Sequence, residues 1–266
     1  MTPYKKEGLA ALSRPHVRGG VNTLFFYKGA RTLLETGGVD AVSQLSTFLK
    51  SSIGRKALMA VTGLLLIGFL ITHVSANMLL LFDHDAFNSY SHKLISNPLI
   101  YIAEFGLLGI FVAHLAAGIV TELGNRKAKP IAYGAKQNAG GTSRKSLASS
   151  TMIFSGVLAL LFVPLHIWGF KFGAHYDSAT HPGTRDLARL VVEEFQSPFL
   201  VGWYVFAMVV LGFHAFHGIG SAFESLGVSL NQRTWLKNGG RALALLIFAG
   251  FTIIPIGIHF FLGGAS

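Results

Sequence analysis

The chain has 266 residues, of which 51% are hydrophobic and only 13% charged, against about 25% charged residues in ordinary soluble domains. With a mean hydropathy of +0.51, neither a soluble domain nor an intrinsically disordered chain fits, since so apolar a sequence collapses in water. Twenty-two Lys and Arg against twelve Asp and Glu give a net charge of +10. In a soluble protein that excess suggests nucleic acid. Here the basic residues lie between apolar runs, where they set membrane topology, and no nucleic-acid partner is expected. The absence of cysteine excludes disulfides, thiolate metal sites, iron–sulfur clusters and covalent c-type haem. Eleven histidines remain as the soft-nitrogen ligands.

Residues 1–50 hold no continuous apolar run of the signal-peptide type, so no cleaved leader is expected. They read as a cytoplasmic N-terminal segment. Within it, residues 24–34 (LFFYKGARTLL) suit either an amphipathic stretch at the membrane surface or an extension held by a partner. Residues 51–266 read as an all-α integral membrane domain of five transmembrane helices, at about 57–82, 98–122, 147–170, 199–222 and 241–262. Each is long enough to cross a hydrocarbon core of roughly 30 Å. Residues 134–146, rich in Gly and Ser, read as a flexible loop. Residues 171–198 form the longest connection on the other side, with Asp186, Glu193 and Glu194 spaced as on a short surface helix. His84 and His92 fall in the first outer connection, where they read as solvated.

Eighteen of the Lys and Arg residues lie in the N-terminal segment, the second-to-third connection and the fourth-to-fifth connection. The opposite side has only Lys93, Lys171, Arg185 and Arg189. The positive-inside rule then puts the N-terminus in the cytoplasm and the C-terminus outside.

A weak repeat runs through the helices. Thr62-Gly63 precedes His73 by ten residues counted from the Gly, and Ser155-Gly156 precedes His166 in the same way. The second and fourth helices share His-x-x-x-Gly, as His114 with Gly118 and His214 with Gly218.

Six histidines fall within the spans: His73, His114, His166, His214, His217 and His259. Any one could serve simply as a hydrogen-bonding group between helices. One on each of four successive helices, matched in depth, is harder to explain that way. With a rise of ~1.5 Å per residue, His73 and His166 lie ~24 and ~28 Å from the inner ends of their helices. His114 and His214 both lie ~12 Å from the inner edge. Two levels of two imidazoles suggest two bis-histidine sites stacked across the membrane, with four helices bundled around two haems b. Zinc normally takes more protein ligands and hard cations take oxygen. Gly118 and Gly218, one turn beyond their histidines, would let a porphyrin plane approach the backbone. His217 stays open as an alternative ligand or a hydrogen-bonding group near a propionate, and His259 reads as structural.

Glu104 lies inside the second helix, where an unpaired carboxylate is costly. A quinone or proton site would explain it, as would a hydrogen bond from Tyr101 or Tyr204. Ser51, Ser52, Arg55 and Lys56 cluster where the first helix leaves the cytoplasm, and suit interfacial anchoring or a quinone or propionate contact. Of the two quinone candidates, Glu104 at the outer level is favoured over Ser51 with Arg55. A pair of haems is needed mainly when electrons must cross the membrane.

The strings SSIGRKALMAVTG, FLITHVSAN, FNSYSHKLISNP, FVAHLAAG, LLFVPLHIWGF and FHAFHGIGSAFESLG resemble the cytochrome b subunit of bacterial succinate:quinone oxidoreductase (complex II), in its single-polypeptide, five-helix, di-haem b558 form. The resemblance runs from about residue 50 to the C-terminus. It implies a multi-pass subunit of the bacterial cytoplasmic membrane, anchoring a flavoprotein and an iron–sulfur protein on the cytoplasmic face. Electrons would pass from succinate, through the iron–sulfur clusters, to menaquinone, and the complex could form a higher oligomer. It also implies His73, His114, His166 and His214 as the four haem ligands. In some fumarate reductases of this type a Glu stands two residues before the fourth ligand. Here that position is Gly212, and no proton route through such a Glu is expected. The chain itself would transfer electrons, with succinate chemistry left to the flavin subunit. A cytochrome b anchor of a formate dehydrogenase or hydrogenase is the alternative, and a histidine-dependent proton-coupled transporter is a further one, disfavoured by the lack of an inverted repeat.

Overall fold

A computed structural model describes residues 38–127, 152–230 and 232–262. The stretches 24–34 and 134–146, and the expected start of the third span at 147–151, lie outside the described residues. The chain divides into two units, residues 1–47 and 48–266. Helix α1 (Gly38–Lys50) carries Val42 and Leu45 on exposed positions.

The second unit is built on five helices long and apolar enough to cross a membrane: α2 (Ser52–Met78), α4 (Leu99–Lys127), α5 (Met152–Phe170), α7 (Pro198–Ser225) and α8 (Thr234–Gly257). The chain is thus a multi-pass, all-α membrane protein. Among the described residues the one β-type pairing is a single bridge between Asp177 and Arg185. The outward faces of the spans carry Phe105, Phe154, Trp168 and Phe206 on exposed positions. Apolar surface of that extent belongs against acyl chains, and helices are suited to it because they satisfy their own backbone hydrogen bonds.

Local chemistry shifts several boundaries. Helix α2 begins at Ser52 rather than near residue 57, because Ser51 caps it: its Oγ accepts from the Gly54 amide at 2.9 Å and donates to the Phe48 carbonyl at 2.6 Å. It runs into a 3₁₀ turn (Leu79–Leu81). Helix α8 begins at Thr234, well before 241, taking in Trp235 and Lys237. It contains the buried Pro255 and passes into a π-helical turn, Ile258–Leu262.

Helices α2, α4, α5 and α7 form a four-helix bundle, with α8 packed outside α7 and α2. Gly212 is one reason that α8 lies so close. A Cβ there would meet the Phe248 ring at 2.8 Å, so no larger side chain fits this position without moving that ring.

The bundle end opposite the start of α2 is covered by two short helices. Helix α3 (His84–Ile95), with His84 and His92 exposed, forms where the sequence suggested only a connection; Asp83 caps it through the Ala86 amide at 2.9 Å. Helix α6 (Leu187–Glu194), capped by Asp186, lies in the long 171–198 segment. Buried Leu80, Phe87, Ala188, Val191, Phe195, Ile254 and Ile258 pack this cover onto the spans. Asn88, only 4% exposed, staples the two short helices together. Its Nδ2 donates to Asp186 Oδ1 at 2.8 Å and its Oδ1 accepts from the Ala188 amide at 2.9 Å. Below them, Tyr176 OH and Arg189 Nε both donate to the Glu193 carboxylate, at 2.6 and 2.7 Å. These two donors hold the Glu193 carboxyl below its ordinary range, the tyrosine hydrogen bond being the larger cause.

Candidate functional site

The bundle interior brings four histidines together in two pairs. His73 of α2 and His166 of α5 have ring centroids 5.8 Å apart at an interplanar angle of 88°. His114 of α4 and His214 of α7 have centroids 6.3 Å apart at 66°. On α2 the residue beside the second pair is Thr62, three turns before His73, so the two levels lie ~16 Å apart along the bundle. A metal–imidazole bond is about 2.0–2.1 Å. Two such bonds plus the depth of two rings span about 6 Å, so the spacing within each pair would suit two imidazoles sharing one metal ion. Among the described residues no group of three or more His, Cys, Asp or Glu gathers where it could hold a metal ion. The histidines come in twos.

Three of the four rings are tied at Nδ1. His114 Nδ1 lies 3.1 Å from both Thr62 Oγ1 and the Met59 carbonyl. His214 Nδ1 lies 2.8 Å from Ser155 Oγ. His166 Nδ1 lies 3.0 Å from Tyr204 OH, and His73 Nδ1 3.4 Å from Asn77 Nδ2. Where Nδ1 donates, such a tie fixes ring orientation in metal-ligating histidines and leaves Nε2 as the ligand nitrogen. The Asn77 amide nitrogen only donates, and its bond goes to the His73 carbonyl at 2.8 Å, so His73 has no tie of this kind. Gly63 allows the approach on α2: a Cβ there would stand 3.0 Å from His114 Cε1. Gly118 and Gly218 face open space, since a Cβ at Gly118 would find only Met59 Sδ at 4.0 Å and one at Gly218 nothing within 4 Å.

The two levels differ in their surroundings. Phe69 stacks on His73 with centroids at 5.1 Å and 18°, and Phe162 stacks on His166 at 5.7 Å and 16°. Phe251 and Phe170 close the same level. The sequence carried a signal for the first two, because each phenylalanine stands four residues before its histidine in the same repeat as Thr62-Gly63 and Ser155-Gly156. The hydroxyl of that repeat therefore serves the next helix: Thr62 on α2 meets His114 on α4, and Ser155 on α5 meets His214 on α7. The two helix pairs follow one plan.

The remaining polar residues separate. The ring opposite His114 is that of His214, and His217 stands one turn further on, half-buried. His259 Nδ1 lies 2.9 Å from the Phe195 carbonyl, a tether for the terminal π-turn. Glu104 forms an ion pair with Lys171 at the end of α5, a partner 67 positions away that no local pattern announces. Tyr204 is engaged at His166 and Tyr101 is exposed. Ser51 is committed to its cap, and Arg55 Nη1 donates to the Lys50 carbonyl. Arg55 Nε and Thr121 Oγ1 are buried and have no hydrogen-bond partner among the described residues. Both lie near the start of α2, and Thr121 is on α4 one turn past Gly118. Two imidazoles per level, open space beside the glycines, and donors without a partner among the described residues at one rim together suit a prosthetic group such as haem.

A cleft of about 410 Å³ opens at the His73–His166 level between α5 and α7, lined by Leu165, Gly169, Phe170, Glu194, Phe199, Leu200, Trp203 and Tyr204. Sequence reasoning missed it, since its walls come from two helices and the end of α6.

No family model matches the chain and no solved structure matches it. The chain is similar to the Succinate dehydrogenase cytochrome b558 subunit of Bacillus subtilis (strain 168), with 23% identity over 190 residues, covering 71% of this chain and 85% of that protein. The resemblance carried by the sequence strings thus has a counterpart over most of the chain: this five-span protein is similar to a succinate dehydrogenase cytochrome b558 subunit.

Proposed function

We propose that this chain is the membrane-anchor cytochrome b subunit of a succinate:quinone oxidoreductase, carrying electrons between an iron–sulfur subunit and a quinone, menaquinone in the first instance. The observation that carries the proposal is a pair of neighbouring imidazoles at each of two depths, three of the four rings tied at Nδ1. The relative's name supports the choice of succinate dehydrogenase over a formate dehydrogenase or hydrogenase anchor.

His73 with His166, and His114 with His214, would each hold one haem b. Haem b supplies a one-electron couple in such a site. The chain's own residues do the rest. Thr62, Ser155 and Tyr204 hold three of the rings, and Gly118 and Gly218 leave room beside them. Arg55 and Thr121 offer donors to propionates, while the apolar bundle excludes water. With the N-terminus cytoplasmic, the His114–His214 level is the inner one, near the flavoprotein and iron–sulfur partners, and the His73–His166 level is the outer one.

Quinone is placed at the outer level. The cleft at Trp203, Tyr204 and Glu194 is apolar with a few polar groups, as quinone seats require, and it opens beside the residue that holds His166. Glu104 is the second candidate, its carboxylate already balanced by Lys171. Ser51 with Arg55 is the inner-side alternative.

The test is co-purification of the tagged chain from its own membranes, followed by succinate–quinone turnover. A red complex containing a flavoprotein and an iron–sulfur protein, reducing quinone with succinate, supports the proposal. A colourless chain without either partner would overturn it.

A further inference from the structure

Resting on the reading that His114 and His214 ligate one haem, we propose that Thr62 and Ser155 are matched positioning residues that set the electron-donating strength of that haem's two ligands, and hence its midpoint potential. The case begins with proton bookkeeping at each hydroxyl. Thr62 Oγ1 donates to the Leu58 carbonyl at 2.7 Å, and Ser155 Oγ donates to the Met152 carbonyl at 2.9 Å. A hydroxyl has one proton. With that proton given to its own helix, each oxygen faces its histidine as an acceptor, so His114 and His214 donate through Nδ1–H. The Met59 carbonyl, which can only accept, imposes the same tautomer on His114. Nε2 then keeps its lone pair on both rings.

The other level lacks this lock. Tyr204 OH can donate to or accept from His166 Nδ1, and Asn77 reaches His73 through an amide that also donates to the His73 carbonyl at 2.8 Å. Two levels with the same ligand set therefore differ in the groups behind the ligands, and the hydroxyl that makes the difference occupies the same place in the Thr-Gly and Ser-Gly halves of the repeat. An acceptor at Nδ1–H pushes electron density onto the ligand and favours the oxidised metal. Removing it should raise the midpoint potential.

The experiment is a redox titration of the intact complex carrying Thr62→Val, Thr62→Ser, Ser155→Ala or the Thr62→Val/Ser155→Ala pair, with haem content read in parallel. A neutral hydrogen bond corresponds to a shift of roughly three- to tenfold in the reduced-to-oxidised ratio, and tenfold is 59 mV for one electron. We expect an upward shift of that order confined to one haem. It should be larger for Ser155→Ala than for Thr62→Val, because the Met59 carbonyl still accepts from His114. Thr62→Ser should restore the wild-type value. Loss of that one haem in the pair variant, with retention in Thr62→Ser, also supports the proposal. Equal shifts in both haems, unchanged potentials in the pair variant, or equal haem loss in Thr62→Ser and Thr62→Val would each overturn it. Failure of the underlying reading looks different: His114→Ala and His214→Ala would then leave both haems in place.

Discussion

Gly63 offers a sharp test of how the His114 ring is seated. An alanine Cβ at this position would stand 3.0 Å from Cε1 and 3.4 Å from Nδ1 of His114, whereas relaxed carbon contacts lie at about 3.5–4.0 Å. The ring would have to retreat by roughly 0.5 Å. Its two Nδ1 contacts stand at 3.1 Å, and that retreat would carry them to about 3.6 Å, where a hydrogen bond no longer counts as one. The lost bonds cost about 1 kcal/mol and overpacking about 1–3 kcal/mol, while alanine's helix preference returns up to about 1 kcal/mol. The net destabilisation of this site is then about 1–3 kcal/mol, and more for Gly63→Val. Gly68, on the same helix with nothing within 4 Å of its Cβ position, is the control. The assay is haem content with low-temperature reduced spectra of the purified complex. Gly63→Ala should broaden or diminish one haem's α-band, Gly63→Val should remove it, and Gly68→Ala should leave both intact. If Gly63→Val and Gly68→Ala gave the same spectra, the packing argument would fail.

Three other outcomes are expected. Asn88→Ala leaves the Ala188 amide buried without its acceptor, at a cost of about 1–3 kcal/mol, and should expose the 171–198 segment to protease while the membrane spans stay resistant. The depressed Glu193 carboxyl stabilises the same cover above the ordinary carboxylate range. That contribution is lost only as pH falls through the lowered folded value, so protease protection should persist to pH values below the usual Glu range. Glu193→Gln should weaken it already at neutral pH, and unchanged protection would count against this link. For quinone, Trp203→Leu should raise the quinone KM severalfold with both haems retained, whereas Glu104→Gln and Arg55→Lys should change it less; the reverse ranking would move the site.

What the sequence revealed follows from the range of the interactions. The five spans are long hydropathy features, and matched depth needs only the helical rise, which put His73 level with His166 and His114 level with His214. Boundaries depended on local caps: Ser51 carries α2 back to Ser52, and Asp83 starts α3 in a stretch too polar to announce a helix. The repeated Thr-Gly and Ser-Gly pairs were visible as a pattern, yet their partners sit on the following helix, so their contact with His114 and His214 appears only in three dimensions. Glu104 shows the same limit. The cost of a carboxylate inside a span was legible and Lys171 as its partner was not.

The central claim is that two pairs of histidines make two haem sites, and haem per polypeptide tests it most directly. Pyridine haemochrome of the purified complex should give about two haems b per chain. His73→Ala and His166→Ala should each remove the same one, and His114→Ala and His214→Ala the other, while His217→Ala retains both. A value near one, or loss of a single haem shared between members of different pairs, would contradict the account.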